Sequence, residues 1–381
     1  MSSEPESMGS LETLAQLRSA LNSVMALDSH TALDSGVYEF RGRLVVSSEE
    51  AFDHIYGRFT ELGYTPMLIR RNGQEVVIAR RGVVRPRALN PSVNAILFIL
   101  TALSTLVVGA AYGNEALAND PNPFETLFGN PVLLLGGLPY ALTLLGILGV
   151  HEMGHYVLAR IHKAAVTLPY FIPMPFGFGT MGAVILLRSP IKNRRQLFDI
   201  GVAGPLAGLV LAIPLLIAGL ATSEIHPSLN VPGGQEGNSI LYLLLKLLVK
   251  GRILPGGGED VFLNAIAFPA WFGLFVTSIN LLPIGSLDGG HVTYAVFGRQ
   301  QWTIARAAWL LMLAGGVVLL VLRPELAFAN VWLFWALLVQ IFGVMHPPPL
   351  DDITPLDPKR RALGIFTMIL FVMLIVPIPF S

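Results

Sequence analysis

The stretch Leu145–Lys163 has the sequence LGILGVHEMGHYVLARIHK and contains the most informative motif of the chain. It is strongly apolar, yet it carries His151, Glu152 and His155 in the spacing H-E-x-x-H. Positions i and i+4 lie on one face of a helix, so one metal ion can bind both histidines. Glu152 lies beside them, where its carboxylate can take a proton from an attacking water. Because these polar groups are costly to bury in hydrocarbon, an apolar span that carries them indicates a functional site.

The composition of the whole chain is that of a membrane protein. Of its 381 residues, 53% are hydrophobic and only 13% are charged, and apolar runs near the bilayer-spanning length recur along the sequence. We therefore predict a polytopic α-helical protein embedded in a lipid bilayer. The formal net charge of zero gives no reason to expect nucleic acid as a partner. The absence of cysteine excludes disulfides and thiolate ligands, and the acidic, polar N-terminus is not typical of a cleaved secretory signal.

Residues 1–88 have the patterns of a small soluble α+β domain. The predicted elements are a helix over Leu11–Met25, a strand over Val37–Val46, a helix from the capping box Ser47–Glu50 to about Leu62, and a hairpin of Thr65–Arg71 and Glu75–Arg81 about Asn72-Gly73. This is a β-α-β-β order after the first helix. No catalytic constellation is evident in this segment, so we expect a regulatory or docking domain.

Residues 89–381 are predicted to form a transmembrane domain with about seven helices. The predicted spans are Pro91–Tyr112, Val132–Ala159, Phe198–Ala221, Val261–Leu282, Ile304–Leu322, Leu326–Val344 and Ala362–Ile378. Arginines precede the first span and basic residues follow the second: Arg80, Arg81, Arg85, Arg87, Arg160 and Lys163. By the positive-inside rule, the N-terminal domain and the H-E-x-x-H end of the second span are cytoplasmic.

Two histidines do not complete a catalytic zinc site, which usually has three protein ligands. The intramembrane candidates for the third are Asp288 and His291, which follow the fourth span where Pro283 and Gly289-Gly290 break the helix. Irregular backbone at membrane depth is tolerated only where it is buried in protein or faces a wet cavity. From the residues alone, Asp288 is as consistent with a helix cap as with a metal ligand.

Two motifs together resemble the site-2 protease family of intramembrane zinc metalloproteases. They are HEMGH at His151–His155 and N-x-x-P-x-x-x-x-D-G at Asn280–Gly289, in the expected order and each at the inner end of a predicted span. The segment Phe178–Gly208, FGTMGAVILLRSPIKNRRQLFDIGVAGPLAG, is similar to the subgroup found in cyanobacteria and plant chloroplasts. The resemblance is strong over Leu145–Gly290, within a protease core of about residues 131–300.

The resemblance implies one Zn²⁺ per chain, with three protein ligands, His151, His155 and Asp288. It implies that Glu152 is the general base, that Asn280 contacts the substrate backbone near the cleavage site, and that Pro283 belongs to the same substrate-binding segment. The implied reaction is hydrolysis of peptide bonds in transmembrane segments of proteins already cut by an upstream site-1-type protease, that is, regulated intramembrane proteolysis. The implied location is a bacterial plasma membrane or a thylakoid-type membrane.

A protease must bind an extended backbone, because a helix uses its amides in internal hydrogen bonds. Thr180–Arg188 lies between the two halves of the site and is apolar, β-branched in part and flanked by helix-breaking residues. We predict a membrane-associated β segment here that pairs with the unwound substrate through the residues Gly182, Ala183, Val184 and Ile185. The alternative is an interfacial hairpin that only anchors the loop in lipid.

Two other functions remain open. A membrane H-E-x-x-H protease of the prenyl-protein or heat-shock type would need a glutamate ligand on a later helix, and the other predicted spans offer none. A non-enzymatic membrane scaffold or metal carrier would not need a carboxylate beside the first histidine, so Glu152 argues against it. Zinc content would not separate these functions, whereas turnover of a membrane substrate would.

Overall fold

The computed structural model describes residues 4–34, 36–84, 90–118, 120–227, 236–324 and 330–380. Helices predominate, together with three small antiparallel sheets. Four features of the sequence interpretation lie outside the described residues: the domain boundary at 88 and 89, Arg85, Arg87, and the start of the sixth predicted span at Leu326.

The N-terminal domain is a four-stranded antiparallel sheet with two helices. Its elements are α1 Glu4–Leu21, β1 Met25–Asp34, β2 Val37–Leu44, α2 Ser48–Glu61, β3 Tyr64–Arg71 and β4 Gln74–Arg81, and the strand order is β1-β2-β4-β3. The Ser47 side chain caps α2 by accepting a hydrogen bond from the Glu50 amide, as the capping box predicts. Asn72 and Gly73 both have positive φ, as a tight hairpin turn requires. These two local predictions are confirmed.

The predicted element order of this domain is incomplete, because the strand β1 was missed. The first helix ends at Leu21 rather than Met25, and Met25 begins β1. Only the first residue of β1 is buried and almost all the others are exposed, so the sequence lacks the apolar alternation that predicts a strand. It forms through its antiparallel pairing with β2, which is interrupted by two register shifts.

The remaining described residues form eleven further α-helices. Their bounds are α3 Ser92–Tyr112, α4 Glu115–Ala118, α5 Pro123–Gly129, α6 Leu138–Ile161, α7 Arg194–Thr222, α8 Ile240–Lys250, α9 Ala267–Asn280, α10 Asp288–Phe297, α11 Gln301–Leu322, α12 Val331–Phe342 and α13 Pro358–Leu374.

 Nine of these eleven helices have ten residues or more, whereas α4 and α5 have only four and seven residues. Two short strand pairs lie between these helices: β5 Tyr170–Pro173 with β6 Thr180–Val184, and β7 Glu224–Pro227 with β8 Glu259–Phe262.

Four helical segments of the described chain are long and apolar enough to cross a bilayer, which indicates a membrane protein. They are Ser92–Tyr112, Pro131–Ile161, Arg194–Thr222 and Asp288–Leu322. The predicted count of about seven is not confirmed. Three of the predicted spans correspond to helices shorter than the roughly 20 residues that cross hydrocarbon: α9, α12 and α13, with 14, 12 and 17 residues.

The fourth predicted span also begins at the wrong residue. Its first residues, predicted from Val261, belong to β8, which pairs with β7, so α9 begins only at Ala267. An apolar run of this kind does not distinguish a strand followed by a helix from one continuous helix.

The helix α7 packs against α6, α9 and α10, and small residues allow the close approach. A Cβ atom on Gly154 of α6 would lie 2.6 Å from the Ala203 carbonyl oxygen of α7, and one on Gly219 would lie 2.5 Å from the Ala267 amide nitrogen. Substituting either glycine would therefore push two backbones apart. Through this packing, α6 and α10 both lie against α7.

The predicted β segment is shorter than expected and has a partner that the sequence interpretation missed. Strand β6 ends at Val184 rather than Arg188, and it pairs antiparallel with β5. The prolines around β5 break any helix there, but Pro173 lies at the end of the strand, where proline is tolerated. The side-chain amide of Asn94 on α3 donates to the carbonyl oxygens of Leu168 and Pro169, just before β5.

Candidate active site

The two histidines of the H-E-x-x-H motif lie on one face of α6, and both are almost fully buried. Their Nε2 atoms are 3.2 Å apart. Each Nε2 also lies 3.3 Å from Oδ2 of Asp288, the first residue of α10. The fold therefore brings together His151, His155 and Asp288, which were predicted as one ligand set.

The spacing of these three donor atoms fits a zinc ion. Bonds of 2.0–2.1 Å to four tetrahedral ligands place neighbouring ligand atoms about 3.3 Å apart. The three observed separations are 3.2, 3.3 and 3.3 Å, so they match three edges of such a tetrahedron. In the part of the chain that the structure describes, no other group of three metal-binding side chains has ligand atoms this close.

The position of Asp288 favours a ligand over a helix cap. The N-cap of α10 is Leu287, and no side chain caps the helix end. The Asp288 carboxylate instead points to the two histidines. His291, the other candidate from the sequence, does not belong to this group of ligand atoms, and its Nδ1 shares a hydrogen bond of 2.7 Å with Nε2 of His346.

Two neighbouring groups orient the histidines. Nδ1 of His155 donates to the Ile200 carbonyl oxygen at 2.6 Å, which leaves its Nε2 free to bind a metal. The side-chain amide nitrogen of Asn280, at the end of α9, lies 3.4 Å from Nε2 of His151. Pro283 follows in the turn between α9 and α10, and its carbonyl oxygen accepts a hydrogen bond from Gln301.

A row of glycines on α7 makes room for the histidines of the candidate site. A Cβ atom on Gly204 would lie 2.0 Å from Nε2 of His155, and one on Gly208 would lie 3.2 Å from Nδ1 of His151. One on Gly201 would lie 2.7 Å from Cβ of His291. In the sequence these glycines are small residues of the third predicted span, and no role in the site was predicted for them. Their spacing on one helix face was the available signal, but it does not show what they face.

Glu152 is also buried, and its carboxylate accepts a hydrogen bond from the Ile185 backbone amide. Ile185 directly follows β6, so the β segment reaches the glutamate. The other predicted substrate residues, Gly182, Ala183 and Val184, lie within β6. Within the described residues the sheet contains only β5 and β6, so β6 has one edge without a strand partner.

Comparison with known proteins places this architecture in a family. Residues 139–322, from α6 to α11, match the model of peptidase family M50. This segment of the chain belongs to peptidase family M50. The resemblance to the site-2 proteases is thereby confirmed, and the matched region contains every residue of the candidate site.

The chain is also similar to plant proteins. The probable zinc metalloprotease EGY2, chloroplastic, of Arabidopsis thaliana is 32% identical over 313 residues, which cover 78% of this chain and 52% of the relative. The probable zinc metalloprotease EGY1, chloroplastic, of the same plant is 30% identical over 299 residues, 74% of this chain and 52% of the relative. The probable zinc metalloprotease EGY2, chloroplastic, of Oryza sativa subsp. japonica is 30% identical over 351 residues, which cover 89% of this chain and 60% of the relative. The chain spans about half the length of the curated relatives it matches.

One further histidine lies near the site without belonging to it. Nε2 of His162, the C-cap of α6, donates to Asp199 of α7 at 2.8 Å, and Arg360 of α13 also binds that carboxylate. His162 therefore connects the end of α6 to α7 and, through Asp199, to α13.

Proposed function

We propose that this chain is a zinc metalloprotease that hydrolyses peptide bonds within or at the edge of the membrane. The observation that carries the proposal is the tetrahedral spacing of the His151, His155 and Asp288 donor atoms, with Glu152 beside them on α6. These groups lie between helices long enough to span a bilayer. The relatives are named as probable zinc metalloproteases, which supports both the metal and the reaction class.

In this mechanism, His151, His155 and Asp288 hold one Zn²⁺. Bound zinc supplies Lewis-acid chemistry, which activates water near neutral pH and polarises the scissile carbonyl. Glu152 takes the proton of the attacking water and returns it to the leaving amine. The Ile185 amide holds the carboxylate of Glu152 in place, and the Ile200 carbonyl holds the ring of His155.

The proposed substrate is a transmembrane segment of a protein already cut by an upstream site-1-type protease, as in regulated intramembrane proteolysis. The unpartnered edge of β6 supports this proposal, because an unwound helix can trade its internal hydrogen bonds for bonds to a strand edge. The amide of Asn280 lies close enough to the ligands to bind the substrate backbone at the cleavage site. Pro283 shapes the turn that follows it.

We propose that the active-site end and the N-terminal domain share the cytoplasmic side of a bacterial plasma membrane or a thylakoid-type membrane. Two observations support the same side of the membrane for both. Basic residues lie at the start of α7, as is typical of cytoplasmic ends, and one of them, Arg195, forms an ion pair with Glu49 of the N-terminal domain. The chloroplast origin in the relatives' names is consistent with a thylakoid-type membrane.

The test is the variant Glu152→Gln in purified full-length protein, reconstituted with a model transmembrane substrate. We expect it to keep one zinc per chain and to lose about 10²- to 10⁴-fold in turnover, because only the general base is removed. Glu224→Gln is the matched control, since Glu224 is exposed on β7 and should leave both quantities unchanged. Turnover equal to wild type in Glu152→Gln would rule out the proposed base.

A further inference from the structure

A segment between α12 and α13 joins the N-terminal domain to the helices of the metal site. We call it the strap and define it as His346–Thr354. The Leu68 amide of β3 donates to the Leu350 carbonyl oxygen at 2.7 Å, and the Asp352 amide donates to the Leu68 carbonyl oxygen at 3.0 Å. The strap thus adds a short parallel pairing to the outer edge of β3.

The opposite edge of the strap is bonded to the chain just before α7. The Asp351 amide donates to the Lys192 carbonyl oxygen at 2.7 Å. Leu350 is buried in the hydrophobic core of the N-terminal domain, and the Thr354 hydroxyl donates to the Ser48 hydroxyl at 2.8 Å. The strap is therefore held by backbone bonds on both edges and by side chains of the N-terminal domain.

Asp352 links the strap to α7 and α10. Its buried carboxylate accepts hydrogen bonds from Arg194, the first residue of α7, at 3.1 Å and from the hydroxyl of Tyr294 at 3.0 Å. Arg299, after α10, lies 3.5 Å from the same carboxylate. Tyr294 is fully buried in the middle of α10.

His346 contacts α10 at a second point. Its Nε2 shares the hydrogen bond of 2.7 Å with Nδ1 of His291. The backbone of His346 is fixed in turn, because its amide donates to Gln301 and its carbonyl oxygen accepts from Trp302. His291 and Tyr294 lie three and six residues after Asp288, or about 4.5 and 9 Å along the helix axis.

We propose that the strap positions Asp288 for metal binding, so that the N-terminal domain acts on the metal site through Leu350, Asp352 and His346. This inference rests on the ligand set of the proposed function. The physical reason is the shortness of α10, which has ten residues and follows an irregular turn. The position of a helix this short is determined by its contacts with neighbouring segments, and the strap supplies two of these contacts close to Asp288. Tyr294 and His291 are then positioning residues.

The first experiment changes single contacts in the full-length protein. Cobalt(II) replaces zinc, and its visible absorption spectrum reports the geometry of the metal site. We expect Tyr294→Phe and Asp352→Asn to change this spectrum and to weaken metal affinity about tenfold, as loss of a group that orients a ligand does. The matched control is Tyr242→Phe, because Tyr242 is as buried as Tyr294 and its hydroxyl also donates to a carboxylate, that of Glu236. This pair lies near the start of α9, whereas the metal site lies near the end of that helix. Tyr242→Phe should leave spectrum and affinity unchanged.

The second experiment separates the strap from the general stability of the N-terminal domain. Leu350→Ala and Leu17→Ala each remove a leucine from the same buried cluster, but only Leu350 belongs to the strap. We expect Leu350→Ala to change the cobalt spectrum and Leu17→Ala to leave it unchanged, even where both lower the unfolding temperature. Equal spectra in the two variants would overturn the role of the strap.

The outcomes also distinguish this inference from the proposed function. If the wild-type protein binds cobalt and the spectra and affinities of Tyr294→Phe and Asp352→Asn match wild type, the positioning role is wrong and the ligand set stands. If the wild-type protein binds neither cobalt nor zinc, the ligand set is wrong, and this inference falls with it.

Discussion

The two halves of the metal site are built in different ways. The half on α6 comes from one helix of 24 residues, in which helical spacing alone places His151 and His155 on the same face. The half on α10 comes from a helix of ten residues that provides one candidate ligand, Asp288. The first half is fixed by local geometry, whereas the second depends on contacts from distant parts of the chain. The comparison shows that one site can combine a locally specified part with one specified by the whole fold.

The largest expected effect comes from removing the ligand of the short helix. Asp288→Ala should lose both zinc and turnover, because a catalytic zinc site with two protein ligands is incomplete. His155→Ala should have the same effect, so the two halves are equally necessary although they are built differently. Zinc per chain is measured by elemental analysis of purified protein. A zinc-loaded, active Asp288→Ala protein would remove α10 from the metal site.

A smaller effect should follow from a change on α7, which touches the α6 half. In Gly204→Ala the new methyl group would lie 2.0 Å from Nε2 of His155 and must displace the ring. We expect zinc affinity to fall about 10- to 100-fold, the cost of disturbing the surroundings of a ligand. Gly315→Ala on α11 is the control, since a Cβ atom there would meet nothing within 4 Å. Equal affinities in the two variants would show that the histidine positions do not depend on this glycine.

The smallest expected effect concerns the strand that reaches the α6 half. Ile185→Pro removes the amide that donates to Glu152, while Val184→Pro acts within β6, where Val184 is paired with Tyr170. We expect turnover to fall in both variants. The fall should be larger in Ile185→Pro, by about tenfold or more, because that variant loses a hydrogen bond to a charged group. Zinc content should remain at the wild-type level. Wild-type cleavage rates in both variants would show that neither substrate pairing nor the orientation of Glu152 depends on this segment.

The features that the sequence predicted are those determined by neighbouring residues. The histidine spacing of α6, the Ser47 cap and the Asn72-Gly73 turn each depend on a few consecutive positions. The pairing of Asp288 with the histidines came from a resemblance between motifs, since the residues alone left a cap equally open.

The features that were missed depend on partners far away in the chain. Strand β1 is exposed along almost its whole length, and it exists because β2 pairs with it. The apolar run after Val261 divides into a strand and a short helix because β7 pairs with its start. Asp352 is separated from Arg194 by 158 positions, and no local pattern marks it as a residue that joins two helices of the site.

The most direct test of the central claim is to map where the reconstituted protein cuts a transmembrane substrate. Wild-type protein and Glu152→Gln are incubated in proteoliposomes with a model substrate whose lumenal part has been removed, and mass spectrometry identifies the new termini. We expect cuts within the membrane-spanning segment that require both zinc and Glu152. Cuts confined to the segments outside the membrane, or identical cuts in Glu152→Gln, would contradict the assignment of this chain as an intramembrane zinc metalloprotease.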